Sequence, residues 1–219
     1  VPAPGCYFVD ADFSAIEARV IAWLSGEDWV LDVFRTTGKI YEATAAQMFG
    51  VPVERIKKGN PEYELRQKGK VATLALGYQG GAPALIAMGA LRMGIPENEL
   101  PSIVQKWRKA NPRIVSFWYD CENAAIECIQ TGQLRRVNGK IAYALSGDGN
   151  RTFLQAILPS GRRLFYAEPK IVENRFGRPS IVHMGQGKDT KKWGACETYG
   201  GKLVENITQA VARDCLAQA

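Results

Sequence analysis

The sequence predicts an α+β fold, in which a mostly helical first part precedes a set of β-strands and a final helix. Three observations support this prediction. Apolar residues recur at helical spacing over the first 130 residues, short β-prone runs alternate with turn residues after Gly132, and helical spacing returns from Lys202 onward. At 219 residues, of which 46% are hydrophobic, the chain can bury the core of one domain or of two small lobes.

The first part is predicted to open with a strand and to continue as helices. The apolar run at residues 6–9 has β character, and the apolar spacing then predicts a helix over residues 15–24. Further helices are predicted over residues 29–49 with a break at 36–38, and over 62–76, 83–93, 97–110 and 114–130. Glycine and proline residues separate them, because both disfavour helix interiors.

The part after Gly132 changes to strand character. Strands are predicted at residues 141–145, 152–158 and 163–167. Pro159, Ser160 and Gly161 lie between the last two and predict a hairpin turn. A closing helix is predicted from Lys202 to the C-terminus.

Charge and cysteine usage narrow the functional class only modestly. The net charge of +6 favours a polyanionic partner, and a solvated basic surface explains it equally well. Five scattered cysteines with one histidine argue against zinc and against a disulfide framework, so we expect a reducing cytoplasm and buried, inert thiols. No signal peptide and no membrane span is predicted, since no run of about 18 uncharged apolar residues occurs.

Carboxylates follow the predicted first strand. Period-two alternation would place Asp10 and Asp12 on one face, and carboxylates crowded at a strand end can hold a divalent cation. Ser14 and Glu17 also fit an S-x-x-E capping box, which is the structural alternative for this segment. A Glu17 that turns toward a substrate cannot cap the helix at the same time.

A second group of residues follows one predicted helix at steps of four. Arg66, Lys70, Leu74 and Tyr78 form a slowly winding stripe, because each step advances by about 40°. Two cations one turn apart repel each other mildly, so a shared anionic ligand such as a triphosphate would explain the pair. Tyr78 could stack on a base or sugar. The alternative is a solvated basic face with Leu74 and Tyr78 in the core.

These two segments resemble motifs of the family A DNA polymerases. D-F-S-x-I-E-x-R, beginning at Asp12, resembles motif A, D-Y-S-x-I-E-x-R. The resemblance implies that Asp12 and the carbonyl oxygen of Phe13 bind Mg²⁺ for phosphoryl transfer. It also implies that Glu17 is the steric gate that excludes a ribose 2′-hydroxyl. Asp10 lies outside the family motif.

The stripe of four resembles motif B, R-x-x-x-K-x-x-x-[FY]-x-x-x-Y-G, of the same family. The resemblance implies that Arg66 and Lys70 grip the phosphates of an incoming dNTP. Leu74 would lie against the sugar and base of the dNTP, and Tyr78 would monitor the template-base position. Leu74 departs from the usual aromatic residue, which leaves the sugar selectivity open. Gln79, with Gly80 and Gly81, departs from the usual glycine, which suggests a divergent, phage-type branch.

Two further segments carry weaker resemblances. Residues 40–50 are similar to D-I-H-x-x-T-A-x-x-F-G, with Tyr41 at the position of a histidine that touches phosphate. The phenol can still donate a hydrogen bond, and packing is the alternative role. E-N-x-x-Q-A-x-A-R-D at 205–214 resembles a helix that touches the minor groove of primer-template DNA, which implies contacts from Gln209 and Arg213. A solvated helix face is the alternative there.

The resemblance also implies a domain organisation. Residues 1–28 would be the palm strand and helix with motif A, 29–131 the helical fingers with motif B, and 132–219 β-hairpins and a returning palm helix. The fold would be mostly helical fingers attached to part of an antiparallel palm sheet. Motif C, a hairpin with H-D-E, would follow Ala219. We therefore expect an inactive fragment, whose two-metal site is completed by a carboxylate outside the chain.

The implied function is template-directed DNA synthesis in replication or repair. It requires Mg²⁺, a DNA primer-template and a dNTP, which reacts with the primer 3′-hydroxyl. Single-subunit RNA polymerases share the motif A aspartate and the motif B lysine but lack S-x-I-E-x-R, so Glu17 favours DNA synthesis. The alternative from another class is a non-catalytic nucleic-acid-binding lobe that retains polymerase-like residues.

Overall fold

The architecture confirms the α+β prediction. The computed structural model describes residues 3–9, 12–147, 150–174, 177–187 and 190–219. Within these residues the α-helices are α1 Ile16–Ser25, α2 Asp28–Thr36, α3 Ile40–Phe49, α4 Leu65–Leu76, α5 Ala82–Ala87, α6 Leu100–Ala110, α7 Pro112–Thr131 and α8 Gly200–Gln218. The strands are β1 Arg135–Val137, β2 Ile141–Gly147, β3 Thr152–Ile157, β4 Arg163–Glu173, β5 Pro179–Gln186 and β6 Trp193–Thr198.

The helices form where apolar spacing predicts them, with three local differences. The helix predicted over 97–110 begins as a 3₁₀ turn, Glu97–Glu99, and becomes α-helical at Leu100. The helix predicted from residue 62 begins as a 3₁₀ turn, Pro61–Glu64, and becomes α-helical at Leu65. The helix predicted over 83–93 stops at Ala87, because Gly89 adopts a φ of +87° and turns the chain. A 3₁₀ turn, Leu91–Met93, follows it.

The strand predicted at residues 6–9 is wrong. Tyr7, Phe8 and Val9 are strongly exposed and belong to no strand. A strand is stabilised by a hydrogen-bonded neighbour, and none of the described residues pairs with this segment. Asp10 lies outside the described residues.

The six strands form one antiparallel sheet in the order of the chain, β1 to β6. The predicted strands correspond to β2, β3 and β4, and the turn before Gly161 is confirmed, since Leu158 N donates to Arg162 O at 2.9 Å. The strands β1, β5 and β6 were not predicted. β1 is only three residues long, and Gly185 and Gly194 interrupt the apolar pattern of the other two.

Helix α7 lies at the centre of the core. The side chain of Trp118 is fully buried and stacks on Trp107, with ring centroids 6.1 Å apart. One apolar cluster joins α1, α4, α7, the inner face of the sheet and α8, and it includes Val20, Leu76, Trp118, Tyr143 and Leu203. The cluster crosses all three predicted segments, and the division into those segments stays a prediction.

Two of the cysteines behave as predicted and two do not. Cys121 and Cys128 are buried among apolar neighbours, and burial raises the pKa of the Cys121 thiol to about 12. Cys6 and Cys215 are exposed, which contradicts the expectation of buried thiols. None of the helices in the described ranges is long and apolar enough to cross a lipid bilayer.

Helices α3 and α4 cross at a glycine. A Cβ atom on Gly69 would lie 2.2 Å from the carbonyl oxygen of Tyr41 and 2.9 Å from the amide nitrogen of Ala45. Both neighbours are backbone atoms, so the contact cannot be relieved by a rotamer change. Gly69 therefore allows the approach that places Tyr41 beside α4.

The turn between β3 and β4 is tied to α8 by a charged cluster. Arg162 Nε donates to Asp214 Oδ1 at 2.7 Å, and Ser160 Oγ donates to the same carboxylate at 2.6 Å. Partial burial alone would raise the pKa of Asp214, but these hydrogen bonds outweigh it and lower the pKa. Arg162 also donates to the carbonyl of Ala210 at 2.7 Å.

We expect Gly69→Ala to lower the free energy of unfolding by about 2 kcal/mol, because its methyl group would force α3 and α4 apart. Urea denaturation followed by circular dichroism measures this. Gly77→Ala, at the C-cap of the same helix, is the control, since a Cβ atom there would meet only Ile21 Cδ1 at 4.0 Å. Equal stability of the two variants would contradict the close crossing.

We expect Asp214→Asn to lower the free energy of unfolding by about 1 kcal/mol at pH 7. A lowered folded-state pKa stabilises the fold above the unfolded carboxyl pKa of about 3.9, and this stabilisation is lost as the pH falls through the folded value. The variant should therefore lose less stability than the parent between about pH 6 and pH 3. The control is Asp32→Asn, which removes an exposed ion pair with Arg35. Parallel pH profiles for Asp214→Asn and the parent would refute the assignment.

Candidate active site

One pocket brings together the residues of both motifs. It has a volume of about 420 Å³ and lies between the loop before α1, α1 itself, α3 and the end of α4. Six of the ten predicted site residues line it, namely Asp12, Phe13, Glu17, Tyr41, Leu74 and Tyr78. Residues 61 positions apart therefore meet at a single surface, as the motif resemblance requires.

A hydrogen bond joins the two motifs inside the pocket. The Tyr78 hydroxyl donates to Glu17 Oε2 at 2.9 Å. Burial raises the pKa of Tyr78 far above its ordinary value, and the negative charge of Glu17 raises it further, so the hydroxyl stays protonated and remains a donor. This bond holds the Glu17 carboxylate on the pocket side of α1.

The capping-box interpretation of Ser14 and Glu17 is wrong. Helix α1 begins at Ile16, its N-cap is Ala15, and no side chain caps it. Ala15 has φ 52° and ψ 43°, in the left-handed region, which costs a non-glycine residue about 1–2 kcal/mol. The strained turn breaks the cap geometry and leaves Glu17 free to face the pocket.

Arg19 holds the loop that carries Asp12 and Phe13. Its Nε donates to the Ser14 carbonyl oxygen at 2.8 Å, and its guanidinium lies over the Phe34 ring at 4.1 Å. The sequence reasoning did not assign a site role to Arg19. The available signal was its position as the last residue of motif A.

Arg66 and Lys70 precede Leu74 on α4 by two turns and one turn, and neither lines the pocket. Arg66 Nε donates to Glu42 Oε1 at 2.8 Å, which raises the Arg66 pKa, and its guanidinium lies 5.5 Å from the Tyr41 ring centroid. Lys70 is half-buried, and its side chain has no hydrogen bond or ion pair within the described part of the chain. Glu42 was not predicted, because only the three-dimensional packing of α3 on α4 brings it to Arg66.

Gln79 explains the departure from motif B. It adopts a φ of 64°, the conformation that the usual glycine accepts without strain. Its side-chain oxygen accepts a hydrogen bond from Gly201 N at 2.9 Å, at the start of α8. A Cβ atom on Gly201 would lie 2.4 Å from the Tyr78 carbonyl oxygen, so α8 packs directly on this turn. Gln79 is thus more strained than a glycine would be at this φ, but its side chain gains a hydrogen bond to α8.

The two residues predicted to contact primer-template lie elsewhere. Gln209 and Arg213 are exposed on α8 and do not line the pocket. Neither side chain forms a hydrogen bond or an ion pair with any residue that the structure describes. Their exposure fits both a DNA contact and a solvated helix face, and the DNA contact stays a prediction.

The pocket offers oxygen donors that suit Mg²⁺. The Asp12 carboxylate is exposed at the pocket wall, next to the carbonyl of Phe13. Mg²⁺ is commonly held by one or two carboxylates together with substrate phosphates and water. Across the described ranges no three His, Cys, Asp or Glu side chains lie close enough to hold a metal. Asp12 and Phe13 therefore form a partial donor set.

Comparison with known proteins gives a consistent result. Residues 1–145 match the sequence profile described as DNA polymerase family A. The DNA polymerase of Bacillus phage SP02 is 58% identical over 218 residues, which cover 99% of this chain and 32% of that protein. DNA polymerase I of Pseudomonas aeruginosa is 27% identical over 143 residues, which cover 65% of this chain and 14% of that protein. The chain thus spans a third or less of the length of these relatives.

Among solved structures, the chain is similar to the POL domain of Pol1 from M. smegmatis in complex with DNA primer-template and dNTP. The TM-score is 0.45 at 19% identity, and the match covers 71% of this chain and 21% of that one. The family profile itself covers the loop before α1 and all of α4, which carry the two motifs. Because this profile spans well over half of the residues, the chain belongs to DNA polymerase family A.

Proposed function

We propose that this chain forms the nucleotide-binding part of a DNA-directed DNA polymerase, a nucleotidyltransferase. The observation that carries the proposal is the Tyr78–Glu17 hydrogen bond, because it joins motif A and motif B at one pocket. The phage and bacterial relatives are named DNA polymerases, and the chain corresponds to only part of them. The activity would therefore belong to a longer protein.

In this proposal the cations of α4 bind the triphosphate of a dNTP. Arg66 has five N–H donors, and Glu42 occupies one of them, so the guanidinium stays anchored while the others bind phosphate. Lys70, without a partner among the described side chains, supplies a second positive charge one turn closer to Leu74. Tyr41 lies beneath the guanidinium and would donate its hydroxyl to the same phosphates.

The reaction would be attack of the primer 3′-hydroxyl on the α-phosphate, with pyrophosphate leaving. Asp12 and the Phe13 carbonyl would hold Mg²⁺, which supplies positive charge and lowers the pKa of the attacking hydroxyl. A carboxylate outside this chain would complete the two-metal site. Arg66 and Lys70 would stabilise the charge that develops on the leaving pyrophosphate.

Sugar selection would reside in Glu17. The Tyr78 hydroxyl fixes the carboxylate against the pocket, where its bulk would exclude a ribose 2′-hydroxyl. Leu74 would pack on the sugar and base.

On the remaining surface, Gln209 and Arg213 would contact primer-template DNA. Segments 1–28, 29–131 and 132–219 would serve as palm, fingers and returning palm.

The five cysteines, all without disulfide partners, favour a reducing compartment, and we infer a cytoplasmic location on that basis. The proposed task is DNA replication or repair. Both tasks use the same chemistry at the pocket, so the assignment to either does not alter the residue roles above.

We expect Asp12→Ala to reduce primer extension by on the order of 10³-fold, because the substitution removes the carboxylate that binds Mg²⁺. The assay uses a chimera in which this chain replaces the corresponding segment of the Bacillus phage SP02 polymerase, with a primed template, dNTPs and Mg²⁺. Fluorescence anisotropy with the same DNA should show unchanged binding.

Asp28→Ala, at an exposed position on α2, is the control and should extend normally. If the unsubstituted chimera binds the primed template but does not extend it, the non-catalytic nucleic-acid-binding lobe becomes the better account. Full activity of Asp12→Ala would refute only the role of Asp12 in binding metal and would leave the polymerase function standing.

We expect Glu17→Ala to increase ribonucleotide incorporation relative to deoxyribonucleotide by about 10- to 100-fold, since a ribose then fits the pocket. Tyr78→Phe should give a smaller increase of about fivefold, because it removes only the hydrogen bond that orients Glu17. Single-nucleotide insertion kinetics with dNTP and rNTP on the chimera measure both. Tyr119→Phe, outside the pocket, is the control. Selectivity in Glu17→Ala and Tyr78→Phe that equals the selectivity of this control would refute the role of Glu17 as a steric gate.

A further inference from the structure

The positive charge of the chain is concentrated in its sheet region. Residues 135–198 contain 12 of the 28 Lys and Arg residues but only 5 of the 22 Asp and Glu residues, which gives +7 against +6 for the whole chain. The match to the family profile ends at residue 145, within β2. Most of this basic segment therefore lies outside the part that carries motifs A and B. Such an uneven distribution favours a polyanionic partner.

The two faces of the sheet have different environments. On the inner face, Tyr143, Leu154 and Tyr166 are buried in the core with α7 and α8. The outer face is defined here by three cross-strand rows of alternating residues. They are Arg136, Ala142, Ile157 and Arg163 in the first row, Ala144, Gln155 and Phe165 in the second, and Ser146, Phe153, Ala167, Met184 and Ala195 in the third.

The outer face presents exposed aromatic rings. Phe165 is 59% exposed, and its ring meets the edge of Phe153 at 6.2 Å. Trp193 is 68% exposed. Phe165 precedes Ala167 by two residues, and Trp193 precedes Ala195 by two, so both rings fall in the same row, two strands or about 10 Å apart. The other members of the rows include the small residues Ala144, Ala167 and Ala195, which leave the rings accessible to a flat ligand.

Arg163 is held in place on the outer face. Its Nη1 donates to Gln155 Oε1 at 2.6 Å, and Gln155 Nε2 in turn donates to the Ser146 hydroxyl. The Gln155 side chain is buried, so this chain of hydrogen bonds fixes the Arg163 guanidinium while leaving most of its donors free. Such an arrangement positions a cation for an external acceptor.

The outer-face cations lack carboxylate partners. Lys170 shares this face, because it pairs with Val182, two residues from Met184. Neither Arg136, Arg163 nor Lys170 forms an ion pair with any described residue. By contrast, the neighbouring Arg135 and Arg162 are paired, with Glu127 and Asp214 respectively. One carboxylate, Glu197, shares the face, because it pairs with Val182, and its Oε1 accepts a hydrogen bond from the Ser180 hydroxyl at 3.0 Å. Three cations without ion pairs therefore lie on the face that carries the exposed rings.

We propose that the outer face of the sheet binds single-stranded DNA. Unpaired cations neutralise the phosphates, and exposed rings stack on bases, which is the combination that single strands require. A duplex keeps its base faces within the stack, so Phe165 and Trp193 select the single strand. This site lies outside the motif pocket, and its binding requires neither dNTP nor Mg²⁺. In a polymerase, the unpaired template is a strand of this kind.

The test measures binding of a fluorescein-labelled oligothymidylate to the 219-residue chain by anisotropy, without dNTP or Mg²⁺. Phe165→Leu should weaken binding by on the order of tenfold, and Phe165→Tyr should retain it, because only the latter preserves a ring. The double variant Arg163→Gln/Lys170→Gln should reduce the slope of log K against log salt by about 1.4, since each phosphate contact to a single strand contributes about 0.7.

Lys57→Gln/Lys58→Gln is the matched control, because it removes the same charge from an exposed loop away from the sheet. Unfolding by urea should be the same for all variants, and each is compared only after that is established. Equal binding by the sheet and loop variants, or equal competition by duplex DNA, would overturn the proposal. Either result would leave the proposed polymerase function unaffected, because the extension assay tests that function separately. Failure of the extension assay with intact oligothymidylate binding would count against the polymerase function only.

Discussion

The site depends on one partly buried hydrogen bond, from the Trp118 indole N–H to the carbonyl oxygen of Gly77 at 2.7 Å. Trp118 is fully buried in the central helix α7, so an unpaired indole N–H there would be costly. The bond fixes the end of α4 against the core one residue before Tyr78. With the end of α4 fixed in this way, the Tyr78 hydroxyl reaches Glu17 across the pocket.

Sequence patterns predicted the elements better than their contacts. Helical spacing found α1 to α4 and α6 to α8, because those helices each bury one apolar face. The strand at residues 6–9 failed, since strand formation depends on a partner that local pattern does not reveal. The strands β5 and β6 were missed for the opposite reason. Their pairing compensates for Gly185 and Gly194, which by themselves disfavour a strand.

The motifs predicted which residues meet but not how each is held. Asp12, Glu17, Leu74 and Tyr78 share a pocket, as the resemblance implied. Their support comes from Arg19, which binds the Ser14 carbonyl and so fixes the loop that carries Asp12. Arg19 lies within motif A, yet spacing alone does not distinguish a residue that faces substrate from one that stabilises the loop. That distinction requires the backbone path, including the left-handed Ala15.

The contact between Gln79 and Gly201 also restricts how the molecule can move. Helix α4 ends at a turn whose side chain is bonded to the first residues of α8, and the Gly201 backbone leaves no space for sliding. A rotation of α4 about its own axis must either break that bond or carry the start of α8 with it. The two helices are therefore coupled, so a movement at the Arg66 end of α4 would be transmitted to the exposed side of α8, where Gln209 lies.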